Sequence, residues 1–193
     1  MEFDNTFDVP LPPSRAWAWL TDIQRIATCL PGAELTEVVD ERSYRGRVAV
    51  RLGPVALSFA GEATLESLDP DALRARMRCS GSDAKGRGST RATIDFALAP
   101  AATPDATRVT LHSDVTLTGA VAQYGRGAGM IQSVAAQLIG QFAECLRARI
   151  DRAERGEDAG EEAAAKPISG LTMMVRALRD GRRGTPEDGA AGG

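Results

Sequence analysis

The chain has 193 residues, with 23 Lys and Arg against 26 Asp and Glu, and a formal net charge of −3. This slightly acidic balance argues against nucleic acid as a partner, because proteins that bind phosphate backbones usually concentrate an excess of Lys and Arg. The length is sufficient for one domain with a full core and an appendage, and it is short for two complete domains.

The chain contains no pattern typical of an export signal or a membrane span. Residues 1–4 have neither a basic region nor an apolar stretch, so we expect no signal peptide. No segment approaches the ~20 apolar residues that a transmembrane helix needs. We therefore predict a cytoplasmic protein, with any membrane contact peripheral and on the inner face of the cell membrane.

The three cysteines, Cys29, Cys79 and Cys145, are odd in number, widely spaced and flanked by apolar residues. This pattern indicates reduced thiols in the core of a cytoplasmic protein, with a disulfide pair as the less favoured alternative. Together with a single histidine, they also lack the regular ligand spacing of a zinc site.

The first thirty residues predict one strand and two short helices. Residues 2–9 alternate weakly between polar and apolar side chains and predict a strand, which ends in the proline-rich stretch 10–13. Ser14 is placed to cap the first helix, which continues to about Leu20. A second helix is expected from about Ile23 to Cys29, because the Leu-Pro-Gly sequence at 30–32 cannot continue one.

Six further segments alternate with a period of two, which predicts strands with one dry and one wet face. In the segment 44–52, one face carries Tyr44, Gly46, Val48, Val50 and Leu52, and the other carries mostly arginine. We place the strands at 34–39, 43–52, 55–67, 72–81, 88–98 and 107–118. Such strands predict an antiparallel sheet with one solvated face.

A helix of about 30 residues is expected after Gly119. Its apolar residues fall at three- and four-residue steps and form one stripe, which consists of Tyr124, Ala128, Ile131, Val134, Ala135, Leu138, Phe142, Cys145, Leu146 and Ile150. This helix is the natural cover for the apolar face of the sheet, so the predicted fold class is α+β.

The inward-facing strand residues fit both a filled core and the wall of a cavity. Several of them are small, namely Gly46, Gly61, Ala63, Ala75, Ala92 and Ser113, and apolar cavities suit lipid-like ligands. The residues that we predict to line such a cavity are Val48, Val50, Leu57, Phe59, Met77, Ile94, Phe96, Leu111, Val115, Leu117, Tyr124, Arg126, Ile131, Val134 and Leu138.

Two features that invite a catalytic or nucleotide-binding interpretation do not support it. His112 is the only histidine and falls on the wet face of a strand, so no Ser-His-acid set is visible and we assign no catalytic residue. The glycines at 125–129 lack the spacing of a dinucleotide fingerprint. We expect them instead to open the long helix, with Arg126 and backbone amides near the cavity mouth, where they could hold an anionic or carbonyl group.

The composition changes after Arg152. We predict a ligand-binding domain over 1–152, a flexible acidic linker over 153–167, a short amphipathic segment over 168–183 and a disordered tail over 184–193. The amphipathic segment has an apolar group, Ile168, Leu171, Met174, Val175 and Leu178, and four arginines, Arg176, Arg179, Arg182 and Arg183. These residues predict reversible contact with an anionic membrane surface, or alternatively packing on a partner protein.

The layout of one strand, two helices, six strands and a long helix resembles the helix-grip fold of START and Bet v 1 proteins. The chain is further similar to the CoxG family of carbon monoxide dehydrogenase subunits over residues 1 to about 150. Three stretches carry this resemblance: Cys29-Leu30-Pro31-Gly32-Ala33-Glu34, Tyr44-Arg45-Gly46-Arg47-Val48 with Leu52-Gly53-Pro54-Val55, and Tyr124-Gly125-Arg126-Gly127 with Gln141-Phe142-Ala143.

The resemblance implies a non-catalytic accessory protein that helps to place a molybdenum-containing dehydrogenase at the cytoplasmic membrane, with a lipid-like ligand in its cavity. Our first hypothesis is therefore a carrier of a respiratory quinone or a similar isoprenoid, with no catalytic cofactor. Two alternatives stay open. One is an enzyme of the same fold that acts on a hydrophobic substrate, and the other is a recruitment scaffold with a filled core.

Overall fold

The computed structural model describes residues 1–52, 55–125 and 128–157. For Leu52, Tyr124 and Ala128 it describes the backbone without the side chain. The predicted cavity residue Arg126, most of the predicted linker, and the whole predicted membrane-contact segment and tail lie outside the described residues.

The described chain follows the predicted order of elements. The helices and strands are β1 (Glu2–Val9), α1 (Pro13–Thr21), α2 (Ile23–Ala27), β2 (Ala33–Val38), β3 (Ser43–Leu52), β4 (Val55–Asp69), β5 (Arg74–Asp83), β6 (Gly88–Pro100), β7 (Thr107–Gly119), α3 (Ala122–Gly125) and α4 (Ala128–Glu154). The predicted α+β class is confirmed, and α4 continues two residues beyond the expected domain boundary at 152.

The start of α1 differs from the prediction. Pro12 occupies the capping position without a side-chain hydrogen bond, and Pro13 is the first helical residue, so the prediction that Ser14 caps this helix is wrong. Proline is suited to the first helical position because its missing N–H has no intrahelical partner there. The side-chain cap lies instead at α2, where Asp22 accepts a hydrogen bond of 3.1 Å from the backbone N–H of Arg25.

The seven strands form one antiparallel sheet in the order β1-β7-β6-β5-β4-β3-β2. Strands β2 to β7 are each paired with their neighbour in sequence, and β1 is added beside β7. The first strand of the chain is therefore one edge of the sheet and the second strand is the other. The long helix α4 covers the inner face, as the apolar stripe predicts.

Several of the arginines that alternate along the strands pair with acids on neighbouring strands at the outer face. Arg76 contacts Asp95 at 2.7 Å, and Arg108 contacts Asp8 at 2.9 Å. These pairs are solvent-exposed, so each contributes little to stability. They explain how a sheet rich in arginine belongs to a chain with a small net charge.

The main core lies under the second half of α4. Its buried residues Phe142, Leu146 and Ile150 share one cluster with Val9 of β1 and Trp19 of α1, and the rings of Phe7 and Phe142 meet edge to face with centroids 5.8 Å apart. In the first half of α4, residues 129–141, no described residue is fully buried. The helix is therefore held at its C-terminal end, and the space beneath its first half is less tightly filled.

One charged residue, Asp83, is buried in the described part of the chain. Its carboxylate accepts hydrogen bonds from the Arg87 guanidinium at 2.8 Å and from the backbone N–H of Lys85 at 3.0 Å. The Arg87 guanidinium holds the pKa of Asp83 well below its usual range. Because Arg87 also donates to the carbonyl of Ala56 at 2.9 Å, this pair ties the β5–β6 turn to β4.

Three glycines face each other across neighbouring strands in the middle of the sheet. Gly46 pairs with Gly61, and Gly61 pairs with Gly81. A Cβ at Gly61 would overlap the carbonyl oxygen of Ser80, and one at Gly46 would lie 2.6 Å from the carbonyl oxygen of Glu34. This glycine row therefore permits a close approach of neighbouring backbones that any other residue would prevent.

The substitution Gly61→Ala should destabilise the protein by about 1–3 kcal/mol, the usual cost of overpacking, because the new methyl group meets backbone on the neighbouring strand. The measurement is the free energy of unfolding in urea. Gly140→Ala is the matched control, since Gly140 lies in α4 with open space around it; it should stabilise the protein by about 0.5–1 kcal/mol. Equal effects of the two substitutions would contradict the role of the glycine row.

Candidate ligand cavity

A cavity of about 350 Å³ lies between the inner face of the sheet, the α2 region and α4. The sheet contributes Tyr44, Val48, Phe59, Met77, Ile94, Phe96 and Leu111; the α1–α2 region and the loop after it contribute Leu20, Ile23, Ile26, Ala27 and Leu30; and α4 contributes Ile139 and Phe142. Three sides of the cavity therefore belong to different parts of the chain.

Part of the sheet wall of the cavity carries little or no side chain. Gly46, Gly61 and Gly81 all line it, together with Ala63 from β4. These positions face inward, where large residues would otherwise fill the space beneath α4. The glycine row that lets the strands approach closely thus also leaves the interior hollow.

The cavity wall is almost entirely apolar. The polar residues at its lining include Tyr44, Ser80 and Thr90. The hydroxyl of Tyr44 already donates to the carbonyl of Glu41 at 2.9 Å. Arg45 and Glu62 border the cavity, but their side chains are about half exposed and pair with each other at 3.7 Å. In the described residues no buried side-chain nitrogen or oxygen lacks a hydrogen-bond partner. The cavity therefore selects for size and apolar character rather than for charge.

The structure brings six of the predicted lining residues together at the cavity. They are Val48, Phe59, Met77, Ile94, Phe96 and Leu111. Whether these residues bind a ligand stays a prediction. Their common location on the inner face agrees with the period-two alternation of the strands in the sequence.

Other predicted lining residues lie elsewhere on the inner face. Val50, Leu57, Leu117 and Val134 pack with Val121 and Phe59 in a second apolar cluster. Val115, Ile131 and Leu138 are half-buried outside the lining. The alternation of a strand indicates which face a residue occupies, whereas its distance along the strand from the cavity depends on where α4 crosses the sheet.

The prediction missed the contribution of α1, α2 and the second half of α4. Leu20, Ile23, Ile26 and Leu30 line the cavity, although their sequence pattern is typical of ordinary amphipathic helices. Phe142 belongs to the predicted apolar stripe, but the predicted lining residues of the long helix end at Leu138. The helical period predicts which face of α4 is buried, but it does not predict which residues along that face reach the cavity.

The cysteine prediction is wrong for two of the three residues. Cys29 and Cys145 form a disulfide, with Cα atoms 5.4 Å apart, across 116 residues of sequence. The separation in sequence gave no sign of this pairing, because it depends on the packing of α4 against the segment after α2. Cys79 is a free thiol.

Cys79 lies in the cavity wall on β5. Burial raises the pKa of the Cys79 thiol to about 11, since the apolar surroundings disfavour the thiolate. At neutral pH this sulfur is therefore a neutral, weakly polar part of the wall rather than a nucleophile.

Two ionisable residues of the described chain, His112 and Asp83, lie outside the lining of the cavity. His112 is exposed on the outer face, as predicted, and its Nδ1 lies 2.8 Å from Oδ1 of Asp4, which raises the pKa of the imidazole. The buried Asp83 is engaged by Arg87 at the β5–β6 turn. Across residues 1–52, 55–125 and 128–157, no group of three or more His, Cys, Asp or Glu side chains could hold a metal ion. No helix in the same ranges is both long and apolar enough to cross a membrane.

The model of the CoxG family, a family of carbon monoxide dehydrogenase subunits, matches residues 6–151, most of the chain. The chain belongs to the CoxG family. This match confirms the resemblance expected from the loop at Cys29–Glu34 and the other two stretches. No curated protein matches the sequence.

Solved structures with low sequence identity share the fold. A conserved protein from Geobacillus kaustophilus is 19% identical with a TM-score of 0.68, and the match covers 79% of this chain and 96% of that one. A protein from Thermus thermophilus is 21% identical with a TM-score of 0.55, covering 77% and 99%. The ZhuI aromatase/cyclase from Streptomyces sp. R1128 is 16% identical with a TM-score of 0.56, covering 83% and 98%. The predicted helix-grip fold is confirmed.

The Cys79 thiol should react with iodoacetamide at pH 8 roughly a hundredfold more slowly in the folded protein than in urea, because a pKa near 11 leaves little thiolate. The rate in the folded protein should increase as the pH rises towards 11. Labelling is measured by mass spectrometry without reductant. Cys79→Ser is the control and should take up no label, since the other two cysteines are joined. Similar rates in the two states would contradict the buried, neutral thiol.

Proposed function

We propose that this protein is a non-catalytic accessory protein that holds an uncharged apolar ligand and links a molybdenum-containing carbon monoxide dehydrogenase-type enzyme to the cytoplasmic membrane. One observation carries the ligand-binding part: an apolar cavity of about 350 Å³ at the centre of the domain. Pockets of this size and character suit small hydrophobic ligands. The partner is inferred from the family, which takes its name from carbon monoxide dehydrogenase.

The ligand that we propose is a respiratory quinone or another isoprenoid lipid. A cavity of ~150 Å³ holds one benzene molecule, so the volume of 350 Å³ corresponds to roughly two rings. This space accommodates a quinone ring system or a short length of isoprenoid chain. The rest of a long isoprenoid would extend through the mouth. Such a carrier shields from water the part of the molecule that lies in the cavity.

Membrane contact is proposed for the segment 168–183, on sequence grounds. Burial of its five large apolar side chains would contribute ~1.5–3 kcal/mol each, and each arginine near anionic lipid would add about 1 kcal/mol. These magnitudes support reversible attachment at the inner face of the membrane. The acidic stretch before it would act as a tether of about 15 residues, with a span of about 20 Å.

An enzymatic function is the second candidate, because an aromatase/cyclase shares the fold. It would require an ionisable group directed into the cavity. The buried acid of the described core, Asp83, already accepts hydrogen bonds from Arg87, and Tyr44 donates to a backbone carbonyl. The apolar lining thus favours the carrier over the enzyme. The scaffold with a filled core is disfavoured by the cavity itself.

Protein purified from cells should carry an extractable isoprenoid or lipid, identified by mass spectrometry of a solvent extract. Ala63→Phe should reduce the bound ligand at least tenfold, because Ala63 lines the cavity and a phenyl ring occupies much of its volume. Ala60→Phe is the matched control, three residues earlier on the same strand and exposed on the outer face. It should leave the ligand content unchanged. Ligand-free preparations of the original protein would count against the carrier.

Removal of residues 168–193 should release the protein from vesicles that contain anionic lipid, since the apolar and basic residues of the proposed membrane segment are then lost. Cosedimentation with the vesicles gives the bound fraction. The ligand content should not change, because the cavity is built from residues 7–142. Persistent vesicle binding by the shortened chain would show that the membrane segment is wrongly assigned.

A further inference from the structure

The Cys29–Cys145 disulfide joins two chain segments that both contribute lining residues to the cavity. Cys29 lies between Ala27 and Leu30, which both line the cavity, and Cys145 comes three residues after the lining residue Phe142. The covalent bond therefore connects the α2 wall directly to the α4 wall. We call residues 23–30 the mouth segment, since they bring α2 and the following loop to the cavity.

Besides the disulfide, a described hydrogen bond connects the mouth segment to α4. Arg149 on α4 donates to the carbonyl of Arg25 at 3.0 Å. Apolar packing of Ile26 and Leu30 in the cluster that includes Ile139 adds to this contact. Ile23 and Ile26 also pack on Tyr44 and Leu65 of the sheet. At its C-terminal side, the mouth segment leads to Gly32, whose carbonyl accepts from the N–H of Ala49 at 2.8 Å and ties it to the sheet. The segment is thus held on the sheet by packing and hydrogen bonds, and the disulfide is its one covalent link to α4.

We propose that this disulfide is a redox-controlled latch on the cavity, an inference that rests on the proposed carrier function. With the disulfide closed, the mouth segment is held against α4 and exchange of the ligand is slow. After reduction, the segment remains attached to the sheet through Gly32 but is free to move away from α4, so the ligand exchanges faster. The latch would couple ligand loading and release to the supply of reducing dithiols.

The chemistry requires a dithiol, either a small molecule or a protein. One thiolate of the dithiol attacks a protein sulfur and forms a mixed disulfide, and the other protein cysteine leaves as a thiolate that takes up a proton. The second thiolate of the reductant then releases the remaining cysteine. The protein gains two electrons and two protons, and the dithiol leaves as a disulfide.

The burial of the two sulfur-bearing residues sets the order of these steps. Cys145 is half-buried, whereas Cys29 is only 3% exposed. We therefore expect attack at Cys145, the more exposed residue, with Cys29 as the leaving group. A disulfide in a protein proposed to work on the cytoplasmic side also fits a reversible role, because disulfides of cytosolic proteins are usually transient or redox-sensing.

The test follows the uncharged fluorescent probe N-phenyl-1-naphthylamine on the full-length protein. Its dissociation rate, measured by stopped-flow fluorescence, should rise roughly tenfold when dithiothreitol opens the disulfide, since changes in affinity act mainly on dissociation. The double variant Cys29→Ser/Cys145→Ser should show the fast rate with and without dithiothreitol. Cys79→Ser is the matched control and should keep the response. Equal rates for the oxidised and reduced protein would overturn the latch.

A second measurement separates failure of the latch from failure of the carrier. Amide hydrogen exchange of residues 23–30 should become faster on reduction, while that of β6 and β7 stays unchanged. Unchanged exchange in the mouth segment overturns the latch whether or not the probe binds. If the probe binds neither form but the mouth segment exchanges faster on reduction, the proposed carrier function is overturned. The link between the disulfide and the mobility of the mouth segment is then still supported. Three free thiols in oxidised, urea-unfolded protein, instead of one, would show that the bond is not formed and would also overturn the latch.

Discussion

The close approach of backbones along the glycine row at Gly46, Gly61 and Gly81 is the constraint on which the cavity depends. A Cβ at Gly61 would overlap the carbonyl oxygen of Ser80, so this position of the sheet carries no side chain at the cavity. The helix α4 is meanwhile held by its second half, where Phe142, Leu146 and Ile150 are buried. The glycine row on the sheet and a helix anchored by its second half thus both border the cavity, and the row leaves part of the space beneath α4 without side chains.

Most charged side chains of the described sheet lie on its outer face and not at the cavity. The strand arginines are neutralised by acids on the outer face, as in the Arg76–Asp95 pair, and the buried Asp83 belongs to a turn rather than to the cavity. Among the described residues no buried side-chain nitrogen or oxygen lacks a hydrogen-bond partner. This apolar interior and membership of the CoxG family are the two grounds on which the carrier is proposed.

The Cys29–Cys145 disulfide links two segments that border the cavity. Three reduced thiols would leave the mouth segment held by apolar packing and one described hydrogen bond to α4, from Arg149. A bond between Cys29 and Cys145 makes the wall around Ile26 and Leu30 conditional on redox state, while Cys79 in the opposite wall is kept neutral by burial. The paired cysteines and the free one therefore have distinct chemistry in the same cavity.

The sequence by itself determined the order of the elements, the face of each strand and the apolar stripe of α4, because alternation and helical period are local properties of the chain. It also placed Val48, Phe59 and Met77 on the inner face. Only the tertiary structure decided which inward residues reach the cavity, and that Ile26, Leu30 and Phe142 belong to it. It also decided the pairing of Cys29 with Cys145. Both outcomes depend on where α4 crosses the sheet. Contacts between residues more than a hundred positions apart produce no periodic pattern in the sequence from which they could be predicted.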